Sequence, residues 1–169
     1  MKKLDDYSQR FADVLFKAFP SWREFASIET TQETSQEGFL LVKVPTPIKG
    51  LSPSGLIPTG EDCLRIDSDG EITIGFDYYH THFDKFSGSA LEEEEFKQAV
   101  EFLNSLINEE IYVAIIMEGE KWRGSTSAKV GEELDLSWLT KRDGLSAQVY
   151  VRSWKGTYNR KYNLQKERD

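Results

Sequence analysis

Residues 63–84 read CLRIDSDGEITIGFDYYHTHFD, and the parsing of this stretch decides the fold. Cys63 to Ile66 and Glu71 to Asp77 alternate apolar and polar side chains with the two-residue period of a half-buried strand. Between them lies Asp67-Ser68-Asp69-Gly70, which is turn chemistry, so the two runs predict a β-hairpin. If the second strand continues unbroken, Ile72, Ile74, Phe76, Tyr78, His80, His82 and Asp84 share one face, because alternate residues of a strand point the same way. The histidines then extend the core face. A bulge at Gly75 swaps the faces instead, and both readings are open at this level.

Gly75 to Asp84 holds both histidines of the chain between Asp77 and Asp84, among the aromatic rings of Phe76, Tyr78, Tyr79 and Phe83. His80, His82 and Asp84 at a two-residue spacing match a 2-His-1-carboxylate set for a metal. That supports one reading, a small metal-dependent hydrolase or lyase built on Asp77, His80, His82 and Asp84. The other reading has the histidines satisfied by hydrogen bonds to neighbouring carboxylates or backbone, or used at an interface. With only two histidines in the chain, and parity able to direct them inward, the expectation is no stoichiometric catalytic metal and no cofactor. No phosphate-cradling glycine loop, HExxH or GxSxG occurs elsewhere.

Outward from the hairpin, Leu4, Tyr7, Phe11, Val14, Leu15 and Ala18 recur at helical spacing and predict an amphipathic helix over Leu4 to Phe19, ended by Pro20. Residues 28 to 37 are polar and predict a loop or weak edge strand, and Phe39 to Val44 predicts a strand ended by Pro45 and Pro47. Lys49 to Glu61, rich in Gly and Pro, predicts a loop packed over the surface. Leu91, Phe96, Ala99, Val100, Leu103, Leu106 and Ile107 trace a second helix, with Ser89 as its N-cap and Glu92 to Glu95 in its first turns, where the helix dipole favours acids. Ile111 to Met117 is apolar on both faces and reads as a central strand. Lys121 to Ala128 and Leu145 to Trp154 predict further strands, with Lys141 to Gly144 as the turn before the last. The fold class expected is α+β: one domain over residues 1–169, with a mainly antiparallel sheet of about five to six strands and two amphipathic helices packed on it.

The chain carries 21 Lys and Arg against 29 Asp and Glu, a net charge of -8. Residues 152–169 hold six basic and two acidic side chains, so this end is +4 and the remainder -12. The expectation is a flexible basic tail over 155–169 on an acidic body. Such a body repels phosphate backbones and anionic lipid, which argues against nucleic acid and membrane as partners and for a basic protein. A single Cys63 excludes an intrachain disulfide and reads as a small core residue. No window is long and apolar enough to span a membrane, and MKKLDDYSQRF lacks the apolar core of a signal peptide, so the expected location is the cytosol.

GEITIGFDYYHTHFD followed by an acidic helix, in a small acidic α+β chain, resembles the immunity proteins of bacterial polymorphic-toxin and contact-dependent growth inhibition systems; the likeness covers residues 69–110. The resemblance implies a non-catalytic cytosolic protein that binds one cognate toxin domain one-to-one and neutralises it. Toxin domains that attack nucleic acid are commonly basic, so an acidic inhibitor gains on-rate and specificity from charge. The partner-binding surface expected comprises Asp77, Tyr79, His80, His82, Asp84, Glu92, Glu93, Glu94 and Glu95. A scaffolding domain without a toxin partner is a third reading.

Overall fold

Asp5 opens the first helix: its carboxylate accepts the Ser8 N–H at 2.7 Å, and Asp6 and Lys17 sit at the ends that the helix dipole favours for each charge. A computed structural model describes residues 2–31, 36–48, 63–83, 91–134, 136 and 147–164. Within them the helix α1 is Asp6–Ala18, preceded by a short strand β1 (Lys3–Leu4), and Pro20 begins a 3-10 helix, Pro20–Phe25. The face of α1 that is buried holds Ser8, Phe11, Ala12, Leu15 and Phe16. The expected stripe was turned slightly: Val14 is 38% exposed and Leu4 belongs to β1.

The class is α+β, but the strands form two mostly antiparallel sheets, where a single sheet was expected. Contacts also group the described residues into two compact units, one running to Thr46 and resuming over residues 63–104, the other formed from Ser105 onward.

In the first unit β2 (Ala26–Glu29), β3 (Glu37–Pro45), β4 (Cys63–Asp67), β5 (Ile72–Phe76) and β6 (Tyr79–Phe83) join β1 in a six-stranded sheet. β1 runs parallel to β3 and β2 antiparallel to it, and the order continues β3-β4-β5-β6, each pair antiparallel. The hairpin expected at residues 63–77 is β4–β5, and its turn contributes to the interior. Ser68 is fully buried; its hydroxyl accepts the Leu40 N–H at 3.0 Å and donates to Ser8 Oγ at 2.7 Å, tying the turn to β3 and α1. The inner face carries Leu40, Val42, Val44, Leu64, Ile66, Ile72, Ile74, Phe76 and Tyr79, all buried. Against it lie α1 and the first turns of α2 (Glu92–Ile107): Phe96 packs on Tyr7 and Phe11 at ring distances of 5.3 and 5.5 Å, and Phe102 on Tyr79 and Phe83. Cys63, expected in the core, is half-buried at the start of β4.

In the second unit the order is β10-β9-β7-β8, all antiparallel, with β7 (Ile111–Glu118) inside the sheet as its two apolar faces require; Val113 to Ile116 are fully buried. β8 (Lys121–Lys129) is an edge, and it is blunted by Lys121, Lys129 and a bulge at Arg123, whose guanidinium pairs with Glu118. β9 is Ala147–Arg152. The stretch expected to be a basic tail contains β10 (Arg160–Leu164), paired along its whole length with β9. Its cations have packing roles: Arg160 lies over the Tyr112 ring and Lys161 over Tyr150, at 5.8 and 4.8 Å from the centroids. Residues 165–169, the Lys49–Glu61 loop, Ser89 and the Lys141–Gly144 turn lie outside the described residues.

The end of α2 explains a backbone exception. Glu110 N–H reaches the Ser105 carbonyl and Glu109 N–H the Leu106 carbonyl, the paired closure of a Schellman motif, and Glu109 takes the left-handed conformation (φ 58°) usually left to glycine. Its side chain accounts for the choice. The Glu109 carboxylate accepts the backbone N–H groups of Lys155 at 2.7 Å and Thr157 at 3.3 Å, closing the β9–β10 connection. Burial raises this carboxyl's pKa, but hydrogen bonds from the Thr157 and Ser153 hydroxyls and these amides outweigh it and hold it below the usual carboxylate value. A depressed folded-state pKa contributes stability that is complete above the unfolded value and lost as pH falls through the folded one. Glu109→Gln is therefore expected to cost stability at pH 7 and progressively less toward pH 3, measured by urea unfolding at several pH values. A pH-independent penalty would contradict the account.

Candidate functional site

Whether the expected surface exists depends on the two residues after β5. The strand does not run on from Ile72 to Asp84: Asp77 and Tyr78 form a two-residue turn, with Asp77 at φ 60°, and β6 returns antiparallel beside β5. A two-residue turn resets the parity, because the residues flanking it face each other across the hairpin. Tyr79 pairs with Phe76 and faces the core; His80 lies opposite Gly75 and His82 opposite Thr73, both on the outer face and both exposed. The histidines thus point away from the core, and the swap comes from a turn and not from a bulge at Gly75. The Asp77 φ is the unusual feature, since Asp is among the few non-glycine residues that tolerate it.

The nine residues expected to make one partner-binding surface separate accordingly. His80 and His82 occupy the outer face of the sheet. Tyr79 is only 9% exposed and stacks on Phe102 with ring centroids 6.0 Å apart, so it is a core residue and not a surface anchor. Asp77 is half-buried in the turn. Asp84 lies outside the described residues. The four glutamates fan around α2 on the other side of the sheet: Glu92 makes a two-pronged ion pair with Arg10, at 2.6 and 3.0 Å, Glu93 is exposed, and Glu94 meets Lys97 and Gln98. Glu95 points inward, 3% exposed, and accepts from Tyr7 Oη at 3.4 Å. Burial, then the charges of Glu95 and Glu92, push the Tyr7 phenol well above its ordinary pKa, so it acts as a donor at any physiological pH.

On the helical side the structure brings together residues that periodicity had assigned to two separate stripes, with Arg10 and Asp13 beside them. Arg10, Asp13, Val14, Leu91, Glu92, Glu93 and Phe96 line an open groove of about 600 Å³ between α1 and the start of α2. Two of the three large hydrophobic side chains that are most exposed among the described residues, Leu91 at 67% and Val14 at 38%, stand in it. Three carboxylates and one guanidinium, the latter paired to Glu92, line the groove together with Val14, Leu91 and Phe96, so its lining is part apolar and part acidic. Its sequence signal was faint: Val14 and Leu91 both belong to plausible apolar stripes, and only the phase of each helix leaves them outside.

Among the described residues, no group of three or more His, Cys, Asp and Glu side chains is placed to hold a metal ion. His82 Nδ1 is 2.7 Å from Glu71 Oε1 and 3.1 Å from Thr73 Oγ1. Asp77 and the histidines lie at the turn and on the open face respectively, so the four-residue set of the hydrolase reading is not assembled in the part of it that is described. No described helix is long and apolar enough to cross a membrane. The chain matches no family model, and no curated protein or solved structure matches it.

Proposed function

We propose that the chain is an immunity protein, which binds a basic toxin domain one-to-one in the cytosol and neutralises it, and that the groove between α1 and α2 is where the toxin docks. The observation that carries the reading is the groove itself, lined by exposed Leu91 and Val14 together with Asp13, Glu92 and Glu93. An apolar centre with a charged rim is the anatomy of a protein-binding patch, in which the centre sets the dissociation rate and the rim steers approach. The sign of the lining carboxylates, within a chain of net charge -8, selects a cationic partner surface carrying an aliphatic or aromatic side chain for the groove. This places the acidic part of the expected surface on the helices and leaves the histidine face with a separate role.

The test is co-expression with a candidate toxin domain encoded beside this chain: cells are expected to survive with this protein and to die without it. In binding measurements with that domain, Glu93→Lys should mainly slow association and flatten its salt dependence, whereas Leu91→Asp should speed dissociation, by roughly 2 kcal/mol if Leu91 is a hot spot. Protection unaffected by both substitutions would remove the groove from the interface; absence of any protection would remove the function.

A further inference from the structure

We infer that His80 and His82 form a two-histidine chelate for a divalent transition-metal ion of the zinc class, on the outer face of the β4–β5–β6 sheet. This does not rest on the toxin-binding reading. The expectation of no metal rested on the count of two histidines and on parity turning them inward; the Asp77–Tyr78 turn removes the second reason and puts both outside, two residues apart on one strand.

Three observations support the assignment. The ring centroids are 5.2 Å apart with the planes at 81°. Two imidazoles on one tetrahedral ion, with Zn–N near ~2.0–2.1 Å and each centroid about 1.1 Å behind its nitrogen, have centroids roughly 5 Å apart. The rings are therefore already at chelating separation. Second, the His82 Nδ1–H donates to Glu71 Oε1 at 2.7 Å with Thr73 Oγ1 at 3.1 Å, an arrangement that orients the ring and leaves Nε2 as the nitrogen with a free lone pair. A carboxylate behind a ligating histidine raises its basicity and fixes its tautomer. Third, the position across from His80 is Gly75, where even an added Cβ would meet only Arg65 Cβ at 3.8 Å and the Tyr79 carbonyl at 3.9 Å. Glycine there puts no side chain of β5 opposite the His80 ring. The nearest cation in the row, Arg65, is paired to Asp67 at 3.2 Å.

Imidazole pairs suit Zn²⁺, Ni²⁺ and Cu²⁺ over Mg²⁺ or Ca²⁺, which take oxygen ligands. Two protein ligands leave positions open for water or for a group from another molecule, so the ion exchanges freely and is lost on dialysis. The experiment is titration of the tag-free full chain with ZnCl₂, followed by calorimetry and by nitrogen NMR of the rings, which are the chain's only two histidines. One Zn²⁺ per chain is expected, with both rings shifting together at Nε2. His80→Ala and His82→Ala should each weaken binding at least tenfold with the melting temperature unchanged, and Glu71→Ala by about tenfold, the lower end for an outer-sphere partner. Absence of saturable binding, a shift confined to one ring, or binding that survives both histidine substitutions would overturn the inference.

Discussion

Tyr79→Ala is expected to destabilise the fold by about 3 kcal/mol, the range of a large aromatic truncated in a core, with the melting temperature lowered by roughly 6–12 °C for a chain of this size. The ring lies on the inner face opposite Phe76, 9% exposed, and stacks on Phe102 of α2. Removing it leaves a void that the sheet and helix cannot both close onto, because β6 is held in register with β5 along five residue pairs. Tyr79→Phe keeps the ring and should cost far less. Urea unfolding of the three proteins decides the matter. If Tyr79→Ala matched the parent in stability and instead shortened the lifetime of a partner complex, Tyr79 would be a surface anchor after all and the parity derived from the Asp77–Tyr78 turn would be wrong.

Gly38→Ala should cost about 2–3 kcal/mol through overpacking. Gly38 lies at the start of β3, where β1 and the end of β2 both come against it: its carbonyl accepts the Asp5 N–H at 2.9 Å, and a Cβ built on it would fall on the backbone oxygen of Glu29 and 2.9 Å from Thr30 Cγ2. Backbone cannot swing aside as a flexible side chain does, so one of the two pairings has to open. Gly75→Ala supplies the internal comparison, since the same added methyl on the same sheet meets nothing closer than 3.8 Å. It should be neutral, or stabilising through the smaller entropy of the unfolded chain. Equal effects of the two substitutions would show that Gly38 is not a close-approach position.

Much of the architecture was legible in residue order, and the reasons are local. Asp67-Ser68-Asp69-Gly70 encodes a turn by its own backbone preferences, and the seven apolar residues from Ile111 to Met117 can be stable only inside a sheet. Period, punctuation and capping chemistry act over a few residues, so both α-helices and the α+β class followed from sequence, as did β3, β4, β5, β7, β8 and β9. β10 was missed because its residues, RKYNL, are polar and charged; what makes them a strand is pairing to β9 and the seating of Arg160 and Lys161 over tyrosine rings contributed by other strands. The candidate sites lay beyond local reading for a related reason. A turn of two residues with no glycine, Asp77-Tyr78, reverses the face of everything after it, and nothing in the period of GFDYYHTHF distinguishes one long strand from two short ones. Likewise Glu93 and Glu95 are two residues apart and chemically identical, yet the second bonds Tyr7 in the interior and the first stands in solvent, because the phase of α2 against α1 is set by Phe96 packing on Tyr7 and Phe11. Sequence by itself determined both α-helices, the strands with a clear apolar period, and that the chain is acidic. Only the tertiary structure decided which side chains of those segments face outward and which come together, because that depends on pairing register and helix phase, fixed by contacts between residues far apart in the chain.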